Sequence, residues 1–130
     1  MIVALDAIPR AAEPCDPDLD WRPVRDHLGI TAFGVNAFVG AAPGDRVVEL
    51  HDETGSHEEL YVVVRGAARF VIDGAQHELP AGSMVLVAPG AVREAFATAA
   101  DTAVLVIGGM PGTHAVSEWE ARQLAASRRA

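Results

Sequence analysis

The stretch GDRVVELHDETGSHEELYVVVRG, residues 44–66, decides how this chain is read. It opens on a glycine turn and continues as a strand over residues 46–51. Side chains alternate between the two faces of a strand, so Glu49 and His51 share one face. After a polar loop over residues 52–58, a second strand covers residues 60–64, and Glu59 and Tyr61 share a face at its start. A hairpin that turns these faces inward brings carboxylates, an imidazole and a phenol together inside an apolar shell. Charged groups are costly there unless they are paired or bind a cation. Imidazole and carboxylate are usual ligands of divalent metals.

Working outward, the same rhythm continues in both directions. Residues 30–39 are rich in Phe, Val and Ile, and Ala42-Pro43-Gly44-Asp45 is a turn signal. After the turn at Arg65-Gly66, residues 67–72 return as a strand. Asp73-Gly74, between two such runs, is the strongest hairpin signal in the chain. Residues 75–79, 84–87, 92–98 and 103–107 complete the set, punctuated by Pro80-Ala81-Gly82 and Ala88-Pro89-Gly90. Roughly eight short strands at this spacing predict an all-β sandwich or barrel. At the N-terminus, residues 1–5 read as a short strand. Asp20 reads as the cap of a brief helix, with Pro23 in its first turn, Trp21, Val24 and Leu28 on one side and Gly29 just past its end. At the other end, Ser117 and Glu120 form a capping box that opens a helical tail.

The residues around the quoted stretch resemble the cupin superfamily. The first motif of that family runs from a glycine through His-x-His to a glutamate, then six residues to a second glycine. Here Gly44 matches its start, and Glu59, six residues and Gly66 match its second half. The wording EELYVVVRG, residues 58–66, is similar to small bacterial cupins. Gly74, Pro80-Ala81-Gly82 and Pro89-Gly90 mark the turns of the second motif, so the resemblance covers about residues 30–108. It implies an all-β, cupin-type jelly-roll barrel over residues 30–110. An extension with a short helix over residues 1–29 precedes it, and a helical tail over residues 111–130 follows. It also implies a small-molecule ligand, and a homodimer, for which the apolar segment 30–39 offers an edge.

Two departures bear on chemistry. Only His51 stands where the family has His-x-His, flanked by Glu49 and Glu53, and the loop before Glu59 is long. In the second motif the last histidine position falls on Arg93. Arginine has only donors and cannot ligate a metal, but it grips carboxylates and phosphates well. Two arrangements stay open. In one, His51, Glu59 and Glu53, or else Glu49 or His57, hold one divalent ion (Fe, Mn, Ni or Zn). In the other there is no metal, and Arg93 is the positive centre. The ligand-binding set is Arg93, Tyr61, His57 and Glu49, with Met84 and Phe96 lining the barrel. The first expectation is thus a protein that binds a small polar or anionic metabolite in the barrel interior. The alternatives are a metal-dependent enzyme of dioxygenase, isomerase or cyclase type, with Tyr61 or His57 moving a proton, and a non-catalytic interaction domain.

Composition excludes several other classes. The net charge is −8, and all ten basic residues are arginine. A nucleic-acid partner would be repelled, and Schiff-base chemistry has no lysine to use. No apolar run approaches the ~20 residues that span a bilayer, and the start of the chain lacks a secretory pattern. A soluble, cytoplasmic protein without a membrane partner is therefore expected. Cys15 is the single cysteine and reads as an incidental thiol among acids that would raise its pKa. His27 reads as complementing a helix end, and His77 and His114 as surface groups. Phe70 reads as core. No Ser–His–Asp order, phosphate-gripping glycine loop or zinc-type cysteine pair occurs.

Overall fold

The computed structural model describes residues 1–12 and 16–129; the expectation for Cys15 lies outside them. Among the described residues, nine strands build two facing sheets. They are β1 (Asp20–Arg22), β2 (Gly34–Gly40), β3 (Arg46–His51), β4 (Glu58–Arg65), β5 (Ala67–Ile72), β6 (Ala75–Pro80), β7 (Met84–Val87), β8 (Arg93–Ala97) and β9 (Thr102–Gly109). One sheet has the order β1-β2-β9-β4-β7 and the other β3-β8-β5-β6, with every pairing antiparallel. The inner faces close on Val47, Tyr61, Val63, Phe70, Val87 and Val104, all essentially inaccessible to water. Tyr61 meets Phe70 edge-to-face at 5.5 Å between ring centres, a favoured aromatic geometry.

Local chemistry accounts for most boundaries. Asp73 and Gly74 both take positive φ, 48° and 82°, as the tight β5–β6 hairpin turn requires. Gly66 (φ 71°) turns β4 into β5 with its α-carbon against Thr102. A β-carbon at Gly66 would lie 2.7 Å from the Thr102 Cα. Ser117 Oγ accepts the backbone N–H of Glu120 at 3.1 Å and opens the helix α2 (Glu118–Arg129), as the capping box predicts.

Four expectations are corrected. Residues 1–5 form no strand; a single 3-10 turn covers Leu5–Ala7. Asp20 does not cap a helix. It lies in β1, its carboxylate held by Arg22 at 2.6 Å, and the helix α1 begins only at Val24 (Val24–Leu28), ending at the left-handed Gly29. The strands β3 and β4 do not pair as a hairpin: the chain crosses between sheets over residues 52–57. Finally, β2 is not an open edge along its length: β9 pairs with all of it and β1 with residues 37–39, which leaves residues 34–36 without a strand on that side among the described residues. Its outward Val35 and Ala37 are instead covered by Ile8, Val24, Leu28 and Ile30. Among the described residues no helix is long and apolar enough to cross a membrane.

Candidate functional site

At one end of the two sheets lies a half-open cavity of about 240 Å³. Its polar groups come from both sheets. In β4 the regular alternation turns Glu59, Tyr61 and Val63 inward, and leaves Leu60, Val62 and Val64 outward. In β3 the register shifts between Val48 and His51. Val47 and Val48 are both buried, Leu50 stands out in solvent, and Glu49 and His51 both line the cavity. In β8, Arg93, Ala95 and Ala97 point inward, and Arg93 is the register partner of His51. Glu53 is fixed by its backbone: its N–H donates to the Pro89 carbonyl at 2.8 Å, and its carbonyl accepts from Ser56 at 2.8 Å.

These elements bring His51, Glu53 and Glu59 together, with one ligand atom from each within 4.8 Å of the others. His51 Nε2 is 3.4 Å from Glu53 Oε1 and 3.5 Å from Glu59 Oε1. Its other nitrogen, Nδ1, lies 2.7 Å from the Glu49 carbonyl. The carbonyl can only accept, so Nδ1 carries a proton and neutral His51 presents a lone pair at Nε2. The Tyr61 hydroxyl donates to Glu59 Oε1 at 2.7 Å, and Arg93 Nε stands 3.8 Å from the same oxygen. Glu59 raises the His51 imidazole above its usual pKa, against the effect of burial. Burial would raise the Glu59 carboxyl, but hydrogen bonds from His51 and Tyr61 and the charge of Arg93 outweigh it and leave it lowered. Burial, with Glu59 beside it, pushes the Tyr61 phenol far up.

Of the residues expected at the site, His51, Glu49, Glu53, Glu59 and Tyr61 line the cavity. Arg93 points inward but lies behind Glu59, fully buried and off the cavity wall. Its Nη2 donates to the Ala88 carbonyl at 3.1 Å, and its Nε and Nη1 have no hydrogen-bond partner among the described residues. His57 is hydrogen-bonded to Ser56 in the crossover and does not line the cavity. Met84 and Phe96 do not line the interior. Met84 pairs with outward Val62 and is 63% exposed. Phe96, three residues from inward Arg93, faces out between Arg46 and Arg69. The sequence reading missed Asp16, Leu19, Trp21, Asn36 and Phe38, which form the opposite wall. Trp21 and Phe38 are register partners, a pairing visible only once residues 20–22 are recognised as a strand.

The fold is that of a cupin. Residues 37–108 match the family model described as a cupin domain, and the chain belongs to that family. It is similar to a cupin protein from Bacteroides fragilis, at 23% identity and a TM-score of 0.61 over 85% of this chain and 92% of that one. It is similar to a sugar phosphate isomerase from a cupin superfamily of Silicibacter pomeroyi, at 22% identity and 0.66 over 84% and 75%. A Cupin 2 conserved barrel domain protein from Salinispora arenicola aligns over 98% and 97% of the two chains, at 19% identity and 0.64. At these identities the likeness is one of fold. No curated protein matches the chain.

Proposed function

We propose that this cupin binds a small polar molecule in its cavity beside one divalent metal ion held by His51, Glu53 and Glu59. The convergence of those three donors carries the reading. The residues fit an ion in three respects. Nitrogen and oxygen donors about 2.0–2.2 Å from a metal stand roughly 3 Å apart, close to the 3.4 and 3.5 Å separations found here. The Glu49 carbonyl fixes the tautomer of His51, and Tyr61 orients Glu59; such outer contacts are the usual support of metal ligands. Two carboxylates and an imidazole form a donor set for Mn, Fe, Ni or Zn. When bound, such an ion supplies Lewis acidity toward an oxygen of the molecule in the cavity. In this reading the Tyr61 hydroxyl donates to Glu59 Oε1 at 2.7 Å and holds that carboxylate in place. Four carboxylates line the cavity, which disfavours a phosphate of the kind named for the Silicibacter pomeroyi protein.

A second reading has its own observation. Arg93 is a buried cation next to Glu59, and with protonated His51 it balances the Glu53 and Glu59 carboxylates without any metal. Metal analysis of protein purified without a tag or chelator separates the two. The first reading expects close to one ion per chain, lost on His51→Ala. A protein that carries no metal and gains no thermal stability from Mn²⁺, Fe²⁺, Ni²⁺ or Zn²⁺ belongs to the second.

A further inference from the structure

The wall of the cavity facing away from the three donors identifies the class of molecule it accepts. Trp21 and Phe38 are cross-strand partners and both line it, so two aromatic side chains neighbour one another on this wall. Asn36, two residues before Phe38 on the same face of β2, adds an amide. On β3, in the other sheet, the Glu49 carboxylate lines the same cavity and has no hydrogen-bond or ion-pair partner among the described residues. The other charges are already engaged. Asp16 pairs with Arg46 at 3.3 Å, Glu53 and Glu59 face His51, and Arg93 is sealed behind Glu59. No arginine lines the cavity. A concave, low-dielectric surface with this charge concentrates cations and repels anions. Aromatic faces attract a cation, most of all when water is displaced.

We propose that the cavity binds a small organic cation, an alkylammonium or quaternary ammonium group, between the Trp21–Phe38 pair and Glu49. The inference deepens the reading of the cavity as a small-molecule site and rests on it. At about 240 Å³ the space is below the usual pocket range of roughly 300–1,000 Å³, so the group is compact. Asp16, Leu19, Trp21 and Asn36 all precede residue 37, where the cupin match begins. Asp16, Leu19 and Trp21 thus come from the N-terminal part of the chain, before β2, while Asn36 and Phe38 are on the barrel strand itself.

The sequence holds two tryptophans, and Trp119 is exposed on α2. Trp119→Phe therefore leaves Trp21 as the single fluorescent reporter of the cavity. Such protein, both chelator-treated and Mn²⁺-loaded, is titrated at fixed ionic strength with tetramethylammonium, tert-butanol and pivalate, which differ mainly in charge. The expected result is a saturable change with tetramethylammonium alone, weakened about fivefold by Glu49→Gln and by Phe38→Leu. Glu49 is exposed, so Glu49→Gln leaves the fold intact, which circular dichroism checks. Pivalate saturating at lower concentration than tetramethylammonium would overturn the proposal. So would the absence of any saturable tetramethylammonium signal in protein that Mn²⁺ still stabilises, and the metal reading would then survive. If neither Mn²⁺ nor any of the three solutes perturbs the protein, both readings fail together.

Discussion

Arg93 and Glu59 carry opposite consequences for stability and for metal binding. Arg93 is fully buried with Nε 3.8 Å from the carboxylate, and removing one partner of a buried ion pair strands the other. Glu59 keeps Tyr61 and His51 as partners, so Arg93→Met should cost about 3 kcal/mol of metal-free stability, the low end for a broken buried pair, read by urea denaturation. The same change frees Glu59 of a competing cation, so metal should bind the variant more tightly. Weaker metal binding would show that Arg93 supports the ligand set and does not compete with it. The His51–Glu59 pair sets a pH dependence. His51 is raised, so its contribution is complete below its ordinary value of 6.5 and is lost as pH climbs through the raised one. Glu59 is lowered, so its contribution is present above its ordinary value of 4.5 and is lost as pH falls through the lowered one. In chelator, the stability gap between the native chain and His51→Gln should be widest between those ordinary values and shrink above them. A gap that widens from pH 6.5 upward would contradict the pairing. Metal affinity should run the other way and rise with pH, because a proton on Nε2 competes with the ion. Alternation alone placed Glu59 and Tyr61 correctly, because β4 is regular. It also forbids Arg93 and Phe96, three residues apart in β8, from both pointing inward, and it is Arg93 that does.

Among the elements, turns were the most legible and strand partners the least. A turn is decided by a few adjacent residues, and Asp73-Gly74, Arg65-Gly66 and Pro80-Ala81-Gly82 all fall where the sequence puts them. Partner choice depends on distant segments. For that reason β3 and β4, neighbours in sequence, end in different sheets. Asp20 through Arg22 satisfied a helix-start pattern locally, yet pair with β2, where Trp21 gains an aromatic partner. The left-handed glycines give a test inside one molecule. Gly74 (φ 82°) has open space where a β-carbon would go, whereas at Gly66 (φ 71°) that atom would run into Thr102. Gly74→Ala should cost about 1 kcal/mol, the strain of left-handed backbone alone. Gly66→Ala adds an overpacking term and should cost about 3 kcal/mol or more. Equal melting temperatures for the two variants would mean that the Gly66–Thr102 approach relaxes without cost.

At the scale of the whole molecule, the outer face of the five-stranded sheet is only half covered. The N-terminal segment packs over Val35, Ala37, Leu105 and Ile107. Beyond it, Leu60, Val62 and Val64 of β4 continue onto edge strand β7, where Met84 and Leu86 are 63% and 64% exposed. A contiguous apolar surface of this kind on a small domain marks an interaction face. A homodimer, expected from the resemblance, would find only the short edge at residues 34–36 free on β2, whereas two copies of this broader face can meet about a two-fold axis, the commonest symmetry of homo-oligomers. The helix α2 buries none of its residues, so it does not hold the molecule together. Light scattering behind a sizing column should therefore give twice the chain mass for the native protein and for a variant truncated before residue 117. The double variant Met84→Glu, Leu86→Lys should give a single chain with its cooperative unfolding intact, because neither side chain contributes to the core. A native protein that stays monomeric at high micromolar concentration, or a double variant that remains dimeric, would remove this face from consideration. The cavity would be untouched by that outcome, since Met84 and Leu86 stand on the outer face and do not line it.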